Sequence, residues 1–328
     1  MSDTNFKRDK TLDILRLIAM SGVLLDHYLC RFGNVLLTKF CLYLGGVSVC
    51  LFLCLTAFLY GMKWRHNDRM HFDVGRFFKS RFQRIVIPLW IVILLAFLLD
   101  CITSQSVDYV AYLYNIVGLG WFRQINVGGH LWYITILFLL YVALLLFSFV
   151  RLDRLHIGFL WIALAVLSVF YIWHPSFLLP ICKSSAPLVL VYAVLLFFKG
   201  DEILRFFGKH LIIFCLILLV LLSVIVLTVF CLQPETSFAN SPTLLMLGYN
   251  FGFLLFCTMV PMLDKLSTKS VHLFAVDESY EIYLVHTFVA FLVSLFVNNE
   301  LLFLSIWLFL TYLLARFICI LQSELRLV

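Results

Sequence analysis

Eleven residues separate Arg16 from His27 in "RLIAMSGVLLDH", a stretch that is otherwise almost wholly apolar. On an α-helix that spacing leaves the two side chains about 20° apart around the axis and about 16 Å apart along it. Both then face one groove. Near one membrane surface it holds a fixed cation, and deeper in an imidazole able to take or give a proton near neutral pH. A charge at the centre of a membrane span costs about 2.5–3.5 kcal/mol on insertion scales, so such residues face a cavity or a partner. Plainer readings stand beside this one. Arg16 can reach back to the interface along its own stem while Asp26 and His27 pair near the other surface. Asp13 can serve as an acid at the positive end of the helix.

Three further stretches carry polar groups in apolar surroundings. "RFQR" places Arg81 and Arg84 three residues apart, on one helix face. Their planar forks suit phosphate, and two arginines at an inner membrane boundary equally serve as topology anchors. "GGHLWYITILFLLY" (128–141) has two glycines that permit a tight turn, then His130 at the mouth of a span, then Trp132 and Tyr133, which match an aromatic belt. "SYEIYLVHTF" (279–288) brings Ser279, Glu281, Tyr283 and His286. Glu281 fits a helix start. His286 lies about 10 Å further along the axis and reads as a structural hydrogen-bond partner rather than a catalyst. The stripe of Gly45, Gly46 and Ser48 permits close helix approach. The ten cysteines lie mostly in apolar runs, with no C-x-x-C pair and no Cys/His ligand spacing. Neither a metal site nor a disulfide framework is expected, and no Ser or Cys stands out as an activated nucleophile.

These residues need elements that hold them in lipid. Of 328 residues 63% are hydrophobic and 13% charged, with a mean hydropathy of +1.05, whereas soluble proteins carry about a quarter charged residues. The expected fold is an all-α polytopic membrane protein, about ten transmembrane helices in one bundle. The spans fall near 12–32, 40–61, 85–102, 130–150, 157–173, 183–199, 210–231, 242–262, 279–297 and 301–320. Residues 107–122 are too short and polar to cross and are expected to lie as an interfacial or re-entrant helix. The net charge of +6 does not indicate nucleic acid, because the basic residues cluster in short loops. Residues 63–84 alone hold seven Lys/Arg, with more in "RLDR", "KGDEILRFFGK" and "LDKLSTK". Only Arg31, Lys39, Arg123 and Lys183 fall on the other side, which puts both termini in the cytoplasm. No cleavable signal peptide, internal repeat or appended soluble domain is evident, so residues 1–328 are expected to form a single domain.

Together the motifs resemble membrane acyltransferase family 3. Asp13, Arg16 and His27 match its Asp-x-x-Arg followed eleven residues later by His; "LTAFLYG" resembles the end of its Gly-rich second span; Arg81, Arg84 and Pro88 resemble its Arg-x-x-Arg ahead of span 3; "HLWY" and "SYEIYLVH" resemble its later spans. The matches run in the family's order from residue 13 to residue 286. The resemblance implies transfer of an acyl group, often acetyl, from cytoplasmic acyl-coenzyme A to a sugar hydroxyl of a glycan or glycolipid, with some members using other donors or acceptors. It implies His27 as the catalytic histidine and Arg16, Arg81 and Arg84 as donor-binding residues, in a multi-pass protein of the inner (plasma) membrane. The family's larger members have an acidic residue after the Trp of span 4 and an extra esterase-like domain. This chain has neither, which points to the compact branch that includes polysaccharide O-acetylases. Asp26 lies outside the pattern. For the oxyanion, His130 and Tyr283 are the candidates. A membrane exporter of glycan or lipid is the rival reading; buried charges fit it too, and the inverted repeat that would favour it is not seen.

Overall fold

Backbone in hydrocarbon has no water to bond, so a spanning segment must satisfy its own N–H and C=O groups, and long apolar runs become helices. The computed structural model describes residues 10–33, 35–66, 74–103, 107–148, 186–231, 242–266 and 277–326, and among these the regular structure is helical with no strand. Helix α1 spans Lys10–Phe32 and α2 Val35–His66. Helix α3 (Val74–Arg81) passes through a π-helical turn, Phe82–Val86, into α4 (Ile87–Thr103). The short α5 is Tyr109–Ile116, and a 3-10 turn at Gly129–Leu131 opens α6, Trp132–Ser148. Then come α7 (Ala186–Lys209), α8 (Leu211–Cys231), α9 (Pro242–Leu266), α10 (Ser279–Ser294) and α11 (Glu300–Arg326).

Among the described residues, four helical stretches are long and apolar enough to cross a membrane: Tyr43–Arg65, Val74–Thr103, Gly129–Leu146 and Glu300–Glu324. Helices α7 and α8 meet at an 89° bend and make a fifth if the pair is one span. Helix α1 has the length but carries Asp13, Arg16, Asp26 and Arg31. Large apolar side chains on α8 and α11, among them Ile212, Leu219, Leu301 and Phe309, stand exposed, as a lipid-facing surface requires. The chain is a multi-pass membrane protein.

One expectation falls outside the described residues and another shifts. The span at 157–173, and residues 183–185 of the next, lie outside the described residues. "KGDEILRFFGK", read as a loop, is helix: α7 breaks only at Lys199 (φ −127°, ψ 16°) and then continues. The break frees carbonyls, and Arg65 of α2 takes them, donating to Leu196 O and Phe197 O while pairing with Asp201 at 2.7 and 3.0 Å. A gap that sequence marks as a helix end is thus bridged from a neighbouring helix.

Helix α2 is central, packing on α1, α7 and α9, while α10 lies against α11, α1 and α4. The α1–α2 seam is close. A Cβ at Gly22 would stand 2.2 Å from Ser48 Oγ, and one at Gly45 2.6 Å from Asp26 Oδ2. The stretch 107–122 holds the two-turn α5, in keeping with an element that does not cross. Asp108 caps it by accepting from the Ala111 amide at 3.1 Å and pairs with Arg123 at 2.8 Å. The Ala111 amide foremost, and then Arg123, hold the Asp108 carboxyl below the usual carboxylate range. Tyr112 Oη donates to buried Asp100 at 2.8 Å, tying α5 to α4.

Candidate active site

Each functional side chain is placed by a local irregularity. Arg16 sits in the second turn of α1, where Asp13, buried one turn earlier, accepts from its Nη1 at 3.1 Å. The acid thus holds the guanidinium, whatever it also gives the helix end. Arg81 ends α3 and Arg84 lies within the π-turn. Such turns leave carbonyls out of the regular ladder. Here Gln322 of α11 donates to Gln83 O at 2.5 Å and Tyr280 of α10 to Ile85 O at 3.1 Å. The turn that carries the arginine pair is pinned from two other helices.

The three arginines meet. With Lys63 they line a cavity of about 320 Å³ whose walls include Tyr60, Thr56, Tyr141, Ser279, Tyr133 and Tyr283. Among the described residues its lining has four cations and no carboxylate. Arg81 lies over the rings of Tyr60 and Tyr141, 5.2 and 5.6 Å from their centroids, a placement that suits a planar cation. Lys63, Tyr60 and Tyr141 were not singled out from sequence. A signal existed for the first two: residues 56, 60 and 63 fall on one face of α2 at helical spacing. Tyr141 comes from α6 through tertiary packing and left none.

Further along α1 stands a cluster of three imidazoles. His27 lies 4.7 Å from His286 and 6.3 Å from His130, centroid to centroid, and His130 lies 4.8 Å from His286. His27 therefore turns inward, toward α10. His130 is held at both nitrogens, Nε2 by Leu284 O at 3.1 Å and Nδ1 by Thr287 Oγ1 at 2.7 Å. His286, fully buried, has Nδ1 2.6 Å from Tyr283 O, and its Nε2 has no partner. Asp26 does not join them. Its carboxylate abuts Gly45 and takes a long contact of 3.8 Å from Cys30 Sγ, because neighbours on a helix point about 100° apart. Among the described residues no group of His, Cys, Asp or Glu is placed to hold a metal ion.

Tyr283 divides the two regions. It lines the cavity, yet its ring is 5.3 Å from that of His130, and its hydroxyl donates to His130 O at 2.5 Å. Tyr133, which also lines the cavity, stands 4.9 Å from Tyr283. None of the three histidines lines the cavity itself. The arrangement can bind a polyanion at the foot of α1 and, past a tyrosine wall, supply imidazoles for proton transfer.

Residues 9–321 match a family model described as an acyltransferase domain, that of membrane acyltransferase family 3. No curated protein and no solved structure is matched by the chain. With nearly all of its length covered by that one model, the chain belongs to membrane acyltransferase family 3 and is a membrane acyltransferase.

Proposed function

We propose that this protein moves an acyl group, acetyl foremost, from cytoplasmic acyl-coenzyme A to a hydroxyl of a glycan or glycolipid, with His27 as general base. The observation that carries the reading is the cavity with four cations and no carboxylate at the foot of the helix that bears His27. Arg16, Arg81 and Arg84 hold the phosphates of the donor by charge-assisted bonds. The chain is one domain of about ten spans in the inner membrane, with both termini and this cavity on the cytoplasmic side.

The pantetheine arm then covers the length between Arg16 and His27, about 16 Å along the helix, passing Tyr133 and Tyr283 to do so. His27 takes the proton of the acceptor hydroxyl. The hydroxyl oxygen attacks the thioester carbonyl, a C–O bond forms, the C–S bond breaks, and the proton passes to the departing thiolate. The products are an ester and free coenzyme A. His130 and Tyr283 serve as supports for this centre through the bonds they make to each other's segments.

Membrane vesicles containing the protein, given acetyl-coenzyme A with a labelled acetyl group, should place label in alkali-labile esters of the endogenous glycan or glycolipid fraction. His27→Ala should lower the rate about 10²–10⁴-fold at unchanged protein level. Equal ester formation by His27→Ala would remove His27 as the base, and no esterification by the wild type would remove the reaction.

A further inference from the structure

We infer that His286 is the positioning residue for His27, holding its ring through an imidazole–imidazole hydrogen bond. The inference rests on the reading of His27 as general base and adds the group that fixes its tautomer. A neutral imidazole has one N–H and one lone pair, and the hydrogen bond at one nitrogen decides which is which. A base must present its lone pair to the acceptor hydroxyl, so its other nitrogen carries the proton and needs an acceptor.

His286 is that acceptor. Its Nδ1 faces the carbonyl of Tyr283 at 2.6 Å. A carbonyl only accepts, so the proton is on Nδ1 and Nε2 of the neutral ring is a bare lone pair. Neutrality follows from burial without a counter-ion, since a lone buried imidazolium is costly and His286, at 0% exposure, makes no ion pair with a described residue. That lone pair has no partner among the described residues, and the nearest described polar ring is His27 at 4.7 Å. Bonds of this kind are often long in the unliganded enzyme and tighten when substrate is bound.

The other polar groups around His27 are committed elsewhere. Asp26, on its own helix, lies against Gly45 on another side of α1 and takes a long contact from Cys30. His130 has both nitrogens occupied, and the Tyr283 hydroxyl donates to His130 O. The His286 ring is carried on a braced element, for Trp307 of α11 donates to its main-chain carbonyl at 2.7 Å. When His27 takes the acceptor proton, its original N–H stays donated to His286 and the imidazolium is formed in place. No proton moves to His286.

His286→Leu removes the lone pair, and His286→Gln returns an amide oxygen near the same place. In the labelled-acetyl assay His286→Leu should lower the rate at saturating acetyl-coenzyme A about 10²-fold and leave the KM for acetyl-coenzyme A within twofold or so. His286→Gln should recover about tenfold of that loss. Because His286 acts through His27, the double variant His27→Ala/His286→Leu should be no slower than His27→Ala alone. Full activity in His286→Leu would overturn the inference while leaving His27 as the base. Equal loss in Leu and Gln variants, or losses that multiply in the double variant, would mark His286 as packing only. Wild-type rates in His27→Ala would instead fail the underlying reading.

Discussion

Removing one cavity arginine at a time separates donor binding from mere topology, and the structure assigns Arg81, which ends α3, and Arg84, within the π-turn, different sizes of effect. Arg81 is half-buried between Tyr60 and Tyr141, so its bond to a phosphate is shielded. A hydrogen bond to a charged group contributes about 1.5–3 kcal/mol, and each 1.4 kcal/mol is tenfold. Arg81→Ala should raise the KM for acetyl-coenzyme A from about tenfold to just over a hundredfold. Arg84 lines the same cavity but is exposed. Exposed ion pairs contribute about 0.2–1 kcal/mol, so Arg84→Ala should raise KM only about 1.4- to 5-fold. Arg81→Lys should behave more like Ala than like the wild type, because lysine keeps the charge but loses the fork and the ring stack. The assay is initial esterification rate against acetyl-coenzyme A concentration in vesicles, repeated at low and high salt. Salt should shrink the Arg84 effect and leave that of Arg81 nearly whole. Equal effects for the two, or a fall in maximal rate with KM unmoved, would refute the assignment of these residues to the donor.

Two predictions concern the frame around the site. At the α2–α7 contact a Cβ on Gly61 would stand 2.3 Å from Phe197 O and 2.7 Å from its Cα, backbone atoms that cannot step aside as a side-chain tip can. Gly61→Ala should therefore cost about 1–3 kcal/mol, seen as a lower thermal midpoint in detergent; an unchanged midpoint would show that the helices slide freely there. At α5 the Asp108 carboxyl has its pKa lowered, so the stability it lends is present above the unfolded value and is lost as pH falls through the folded one. Hydrogen exchange at the Ala111 amide should stay protected through mildly acid pH relative to Asp108→Asn, and the two should converge only below the usual carboxylate range. Convergence at neutral pH would deny the cap.

Much of the site was legible in sequence because helical periodicity is a local rule. Their spacing puts Arg16 and His27 on one face of α1, with Arg16 on the cavity and His27 turned to His286, and Arg81 and Arg84 open on that cavity. The same rule, applied to Asp26, turns it about 100° from His27, against the reading that paired them; its place beside Gly45 follows. What stayed hidden depends on contacts between helices. The ring that flanks Arg81 from α6 and the carbonyl partners that pin the π-turn come from residues distant in the chain. The helix beyond Lys199 was hidden for the same reason, since its break is closed by Arg65 from α2.

That last comparison separates function from strain. The α7 break and the π-turn both interrupt a helix, and in both the freed carbonyls find donors on neighbouring helices. Interruption alone therefore says nothing about chemistry; proteins absorb it wherever a partner is at hand. What is left over matters more. At α7 the cation Arg65 has its carboxylate, Asp201. Among the described residues the cavity lining has four cations and no carboxylate, Asp13 holding Arg16 from outside it, and beyond the Tyr283 wall a fully buried imidazole keeps a nitrogen without a bond. A buried group left unsatisfied lowers stability, and a chain that satisfies so many others keeps this nitrogen where the N–H of His27 can complete it. The excess of cations in the lining suits an anion, the His286 lone pair suits the N–H of His27, and the two regions lie along one face of α1. A donor that is charged at one end and reactive at the other fits that order, its anionic end on the cations and its reactive end toward the histidines.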